Sequence, residues 1–182
     1  MHPLGHITFA CGSAWAVTRV ADGLGMFHAN SVGSDSAKSQ LAERLDYRFV
    51  AFGALLPDII DRPVGRILLR GLFDNNGHVI GHTLLFALLL LVPGIVLLTG
   101  RRQARLLCVG LGDLSHLAVD PVTHAPQTLL WPLLGSDFPQ VTLLGPNATV
   151  ATEITAGLII LSVLWTTVRR GRARDLLREG RL

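Results

Sequence analysis

The stretch VIGHTLLFALLLLVPGIVLL, Val79 to Leu98, decides the fold class. It contains about 20 residues, and as a helix it would be roughly 30 Å long, which is the thickness of the hydrocarbon core of a bilayer. The pair Pro93-Gly94 near its end predicts a bend. The stretch therefore predicts a membrane-spanning helix.

A second apolar run, ATVATEITAGLIILSVLWTTV, extends from Ala148 to Val168 and carries Trp165 near one end as an interfacial anchor. Arginines follow both runs directly: Arg101 and Arg102 follow the first, and the basic run RRGRARDLLREGR follows the second. Cytoplasmic flanks of membrane helices are enriched in Arg and Lys, so both C-terminal ends are expected in the cytoplasm.

Two helices that end on the same side require a return crossing between them. The segment Leu106 to Asp120 is the candidate, and its polar residues predict that it lies inside a bundle rather than facing lipid. Leu4 to Val20 predicts another helix, whereas Phe49 to Ile60 is short and is expected to be broken by Pro57. We expect an all-α, membrane-embedded bundle with about four helices at membrane depth. It forms a single domain over residues 1–182, with a polar loop near 28–47 and a basic cytoplasmic tail at 169–182.

The composition agrees with this class, because 49% of the residues are hydrophobic and only 16% are charged. We expect a multi-pass protein of a bacterial-type inner membrane whose partner is the lipid bilayer, with no cleavable signal peptide. The basic tail follows an apolar run and lacks interleaved aromatic residues, so no nucleic acid is expected as a partner. Cys11 and Cys108 lie in apolar surroundings and make no disulfide framework.

Against this background, the stretch GDLSHLAVDPVTH, Gly112 to His124, is unusually polar. The ionisable residues in the apolar segments are almost all His or Asp, the side chains that suit zinc and similar divalent metals. They are His6, Asp58, Asp61, His78, His82, Asp113, His116, Asp120 and His124. His78 and His82 are four residues apart, as are His116 and Asp120, so each pair is expected to share one helix face. Uncompensated ionisable groups at membrane depth are costly, and a shared divalent ion would compensate them because no neighbouring Lys or Arg is expected as a partner.

Simpler roles remain open for individual residues. Asp58 could cap a short helix after Pro57, and Asp113 could cap the helix that carries His116. His124 follows Pro121 and could lie in a solvated loop. A single histidine in an apolar helix is more often a hydrogen-bonded core residue than a metal ligand.

Four motifs in order, namely an early histidine, GALLPDIID, HVIGHTLL and SHLAVDPVTH followed by LLWPL, resemble those of the membrane-bound metal-dependent hydrolases. This family is also called the LexA-binding, inner-membrane-associated hydrolases, and the resemblance covers about residues 1 to 135. A more distant resemblance is to the all-helical zinc-dependent phospholipase C and nuclease superfamily. It implies that the metal ligands are Asp58, His82, His116 and Asp120, with His6 on a neighbouring zinc that Asp120 bridges.

This chain departs from the family pattern in three ways. One is that HTL, from His82 to Leu84, replaces the usual T-H-S ending of the third motif. Its third motif is HVIGH, with the histidines four apart instead of five and no intervening arginine, and the superfamily's later H-x-x-x-E element is absent. We therefore expect one or two zinc ions rather than three.

The function expected is metal-dependent hydrolysis of an ester or phosphoester in a lipid-like substrate. Asp61 or Asp113 is the candidate general base, and His78 is the candidate for stabilising the leaving group. The alternatives are a non-catalytic metal-binding membrane protein with a regulatory or scaffold role, and a small metal or proton transporter.

Overall fold

The computed structural model describes residues 3–23, 45–69, 71, 76–120, 126–135, 138–139, 146–171 and 173–180. Within them the chain forms helices and no strand, so the all-α class is confirmed. The helices are α1 Pro3–Gly23, α2 Tyr47–Pro63, α3 Leu84–Arg101, α4 Arg105–Val119, α5 Pro126–Leu129, α6 Pro146–Arg169 and α7 Ala173–Glu179. A π-helical turn, Val64–Leu68, extends α2. The predicted polar loop, up to residue 44, and His124 lie outside the described residues.

Two helices are long and apolar enough to cross a membrane, at Leu84–Arg101 and Val150–Arg169, and only 11% of each segment is buried. They correspond to the two predicted spans, but α3 begins five residues later than the sequence suggested. The reason is the side chain of Thr83, whose hydroxyl accepts a hydrogen bond from the Phe86 amide at 3.1 Å and so caps the helix. His78 and His82 therefore precede α3, and the prediction that they share a helix face is wrong.

Helix α2 continues through Pro57 to Pro63, so the predicted break at Pro57 is wrong. A proline inside a helix removes the bond from its own nitrogen, but tertiary packing can hold the remaining turns in place. Asp58 is consequently inside α2 and Asp113 is inside α4, and neither caps a helix. The cap of α2 is Asp46, which accepts from the Arg48 amide at 3.0 Å and pairs with the Arg48 guanidinium at 2.7 Å.

Helices α2 and α4 cross in close contact because a glycine of each helix lies against the backbone of the other. A Cβ on Gly53 would clash with the Val109 carbonyl, and one on Gly112 would clash with the Val50 carbonyl. Small buried side chains, including those of Ala54 and Cys108, fill the rest of the core where α1 joins this pair. The close approach brings polar residues at the ends of α2 and α4 within bonding distance of each other.

All of the long helices run between two distinct ends of the bundle. The end that contains the N-terminus of α3 and the C-termini of α2 and α4 is called the site end below. The N-terminal parts of α1 and α6 meet there, since the Gly5 amide donates to the Glu153 carboxylate at 3.2 Å.

The opposite end, called the arginine end, contains Arg101, Arg102 and Arg105, and Arg105 lies 5.7 Å from the ring centroid of Phe49. Helix α7 packs there, because the Tyr47 amide donates to the Gly180 carbonyl at 2.8 Å.

Candidate metal centre

Side chains from four parts of the chain meet at the site end. His6 lies in the second turn of α1, Asp58 and Asp61 lie near the end of α2, and His116 lies in the last turn of α4. The remaining members are Asp120, which follows α4, and His78 and His82, which lie in the irregular segment before α3. Every residue predicted as a metal ligand is buried here, at 9% exposure or less.

Three overlapping groups have ligand atoms within 4.8 Å of one another: His6 with His116 and Asp120, Asp58 with His82 and His116, and His78 with His82 and Asp120. The His6 and His116 rings are stacked with their centroids 3.8 Å apart. The structure thus brings together all five predicted ligands and His78. Because His116, His82 and Asp120 each belong to two groups, the three groups form one continuous cluster.

Hydrogen bonds to the outer ring nitrogens orient the two central histidines. His116 Nδ1 lies 2.6 Å from the Ala54 carbonyl oxygen, and His82 Nδ1 lies 2.7 Å from Asp61 Oδ2. A carbonyl only accepts hydrogen bonds, and so does an ionised carboxylate, so we assign the proton of each neutral imidazole to Nδ1. Each Nε2 then carries a lone pair.

The two Nε2 atoms face each other across 3.2 Å. Two lone pairs at this separation repel each other unless a proton or a metal ion lies between them. Carboxylates surround the same point, with Asp58 Oδ1 at 3.7 Å from His82 Nε2 and Asp120 Oδ2 at 3.8 Å from His116 Nε2. The arrangement is one that attracts a cation.

Asp61 is the most strongly hydrogen-bonded acid of the cluster. Its carboxylate accepts from the backbone amides of Val79, Gly81 and His82 at 2.6, 2.8 and 3.2 Å, in addition to the His82 ring. It is fully buried. A single carboxylate therefore fixes both the backbone of the segment before α3 and the orientation of the His82 ring.

Asp58 has an arginine partner, Arg62, that was not predicted from the sequence. The expectation of no neighbouring Lys or Arg is therefore wrong. Arg62 donates to both of its carboxylate oxygens, from Nε at 3.1 Å and from Nη2 at 2.9 Å. The i,i+4 spacing would have revealed the pair had α2 been continued past Pro57. The charge on Asp58 is thus balanced in part before any metal is bound.

Asp113 lies one turn before His116 on α4 and is fully buried. Within the part of the chain that the structure describes, neither of its carboxylate oxygens has a hydrogen-bond partner. A buried polar group in this condition costs free energy, and strain, a catalytic role, or a bound water or ion are the explanations that apply to it. It is the acid of the site whose oxygens are least committed to other groups.

Asn76 attaches a second loop to the histidine segment. Its side-chain nitrogen donates to the Phe138 carbonyl at 2.5 Å, and its side-chain oxygen accepts from the His78 amide at 3.0 Å. Asn76 is nearly fully buried, whereas His78 is partly accessible. His78 therefore lies at the accessible edge of the cluster. In the sequence, Asn76-Gly77 indicates a turn. A turn signal does not reveal that Asn76 connects His78 to Phe138.

The fold and the cluster together define a helical membrane protein with a buried group of histidines and aspartates at one end of its bundle. No solved structure and no curated protein matches the chain. A family model described as YdjM inner membrane protein matches residues 1–175. The chain belongs to this family, and it is therefore an inner membrane protein that associates with the lipid bilayer.

Proposed function

We propose that this protein is a membrane-bound metal-dependent hydrolase that acts on an ester or phosphoester of a lipid-like substrate. The observation that carries the proposal is the pair of facing Nε2 atoms of His82 and His116, whose outer nitrogens are both bound to acceptors. This pattern is the usual one for histidines that ligate a metal, in which the second nitrogen donates to a carboxylate or a carbonyl.

The residues fit a zinc ion in kind and in spacing. Two nitrogens that each lie about 2.0–2.1 Å from one tetrahedral ion are about 3.3 Å apart. The distance between the two Nε2 atoms is 3.2 Å. Asp58, His82 and His116 would hold a first ion, and His6 and Asp120 would hold a second ion beside it. The proposal is therefore one or two ions in this cluster.

When bound, such an ion supplies a Lewis acid that polarises a substrate oxygen and lowers the pKa of a water to about 7. Asp61 is better suited to orienting His82 than to acting as a base, because its two oxygens already accept four hydrogen bonds. We assign the proton-accepting role to Asp113, whose oxygens have no partner among the described residues. His78, at the accessible edge, would stabilise the leaving group.

The location of the cluster supports a lipid-like substrate. The π-helical turn that follows Asp61 exposes Ile67 and Leu68, and the segment tied to Asn76 exposes Leu133 and Leu134. Apolar side chains beside a polar site suit a substrate with an acyl or isoprenoid chain. With the arginine end in the cytoplasm, as the positive-inside rule favours, the cluster would face the other side of the membrane and the C-terminus would be cytoplasmic.

The core beneath the cluster argues against transport. Between the cluster and the arginine end, α1, α2 and α4 pack through Ala10, Ala14, Val50, Ala54 and Cys108, all of them buried. A transporter needs polar groups that continue across the bundle. A non-catalytic metal site is the alternative that the test must distinguish.

The test is hydrolysis by the purified protein in detergent, with a chromogenic phosphodiester and a carboxylic ester as substrates. We expect a chelator to abolish hydrolysis and added zinc to restore it, and we expect Asp113→Asn to lower the rate while zinc remains bound. Asp175→Asn, on exposed α7, is the matched control and should behave as wild type. Full zinc occupancy without hydrolysis of either substrate would support the non-catalytic alternative.

A further inference from the structure

Arg62 lies on the side of the cluster that solvent reaches. Its guanidinium uses Nε and Nη2 to bind Asp58, and 44% of the side chain remains exposed. A guanidinium has five N–H donors, so among the described residues this bidentate pair leaves three of them available. Asp58 Oδ1 is in turn 3.7 Å from His82 Nε2. Asp58 therefore lies between the exposed guanidinium and the facing nitrogens of His82 and His116.

Arg66 extends this positive edge by one turn. It lies on the π-helical turn that continues α2, and its guanidinium lies against Gly77, the residue before His78. A Cβ on Gly77 would be only 2.7 Å from Arg66 Nε, so the glycine makes room for the arginine there. The two guanidiniums therefore flank the cluster next to Asp58 and next to His78, and among the described residues Asp58 is the acid that pairs with Arg62.

We propose that Arg62 and Arg66 form an anion-binding edge that selects substrates with charged oxygens next to the scissile bond. This inference rests on the proposed hydrolase function and names the residues that determine its substrate class. The planar guanidinium binds phosphate oxygens in a bidentate manner, and both arginines are exposed where a substrate would approach His78. A neutral carboxylic ester offers this edge no charged oxygen, so it would be bound more weakly.

A purely structural role for Arg62 predicts different behaviour. If Arg62 served only to hold Asp58, its removal would lower zinc affinity and would affect neutral and anionic ligands equally. If it binds the anion, its removal weakens phosphate binding while the zinc stays in place. Zinc content and phosphate affinity must therefore be measured on the same samples.

The experiment is calorimetric titration of inorganic phosphate into protein that has been loaded with zinc and desalted. Arg62→Gln should weaken phosphate binding about 10- to 100-fold, which is the loss expected for charge-assisted hydrogen bonds. Arg62→Lys should recover part of the loss, and Arg66→Gln should show a smaller loss. Arg174→Gln, an exposed arginine on α7, is the matched control and should bind phosphate as wild type does.

The inference is overturned if zinc-loaded Arg62→Gln and Arg66→Gln both bind phosphate as tightly as wild type. It is also overturned if phosphate affinity falls only in proportion to lost zinc, or if wild type binds no phosphate. Failure of the hydrolase proposal appears separately, as wild-type protein that holds no zinc or that hydrolyses neither test substrate. A raised KM of Arg62→Gln for the phosphodiester, with the KM for the carboxylic ester unchanged, would provide independent support.

Discussion

Replacing Asp61 with asparagine should disturb both the fold and the metal site. The variant keeps the shape of the side chain, but it removes the charge and replaces one acceptor oxygen with a donor. In the better of its two orientations, the amide oxygen takes the Oδ2 position and still faces Val79, His82 and the His82 ring. The amide NH2 then faces the Gly81 amide, which loses its acceptor.

The cost of this change can be added from its parts. One buried amide left unsatisfied costs about 1–3 kcal/mol, and three hydrogen bonds that lose charge assistance cost roughly 0.5–1 kcal/mol each. The sum is a loss of about 2.5–6 kcal/mol in the free energy of unfolding, or a fall of roughly 5–24 °C in the melting temperature at about 2–4 °C per kcal/mol for a chain of this size. Zinc affinity should fall about 10- to 100-fold, because the His82 ring then donates to a neutral amide oxygen instead of a carboxylate and becomes a weaker ligand.

The measurement is thermal unfolding in detergent, with and without zinc, together with a zinc titration. Asp175→Asn, an exposed acid on α7, is the control and should stay within about 0.5 kcal/mol of wild type. Unchanged stability and unchanged zinc affinity in Asp61→Asn would refute the assignment of Asp61 as the anchor of this segment.

Three further predictions concern packing, pH and orientation. Gly53→Ala should lower the melting temperature because its Cβ would clash with the backbone of α4, whereas Gly12→Ala, which has open space, should leave it unchanged or raise it. The Arg48 side chain lowers the pKa of Asp46, so the stabilisation by Asp46 is present above the unfolded-state pKa of about 3.9 and is lost as the pH falls further. The stability difference between wild type and Asp46→Asn, followed by pH titration, should therefore shrink on acidification, and a constant difference would contradict it. In a cysteine-free background on intact cells, Leu133→Cys at the site end should react with a membrane-impermeant maleimide, and Arg174→Cys on α7 should not. The reverse pattern of labelling would show that the proposed orientation is inverted.

Much of the site was predictable because it follows helix periodicity. His116 and Asp120 are four apart at the end of α4, and the 3.8 Å between His116 Nε2 and Asp120 Oδ2 follows from that spacing. The two apolar runs likewise correspond to α3 and α6, because their length and composition alone indicate a membrane span.

The predictions that were wrong, a shared helix face for His78 and His82 and a break at Pro57, each failed for an identifiable physical reason. The hydroxyl of Thr83 starts α3 after His82, so the histidine pair is held by Asp61 instead of by a shared helix face. Packing carries α2 past Pro57, which puts Arg62 one turn after Asp58. The first cause is a local capping bond that the apolar pattern does not reveal, whereas the second depends on packing between segments that are distant in sequence. The bridge through Asn76 is of the same kind.

The measurement that tests the account most directly is the metal content of the purified protein, compared among wild type, His116→Ala and Asp120→Ala. Each sample is also checked for retained helicity, so that loss of metal is separated from loss of fold. We expect one or two zinc ions per wild-type chain and a clear loss in both variants. The loss should be larger in His116→Ala, because His116 Nε2 lies 3.2 Å from His82 Nε2 and this pair would hold the first ion. Full metal content in both folded variants would contradict it.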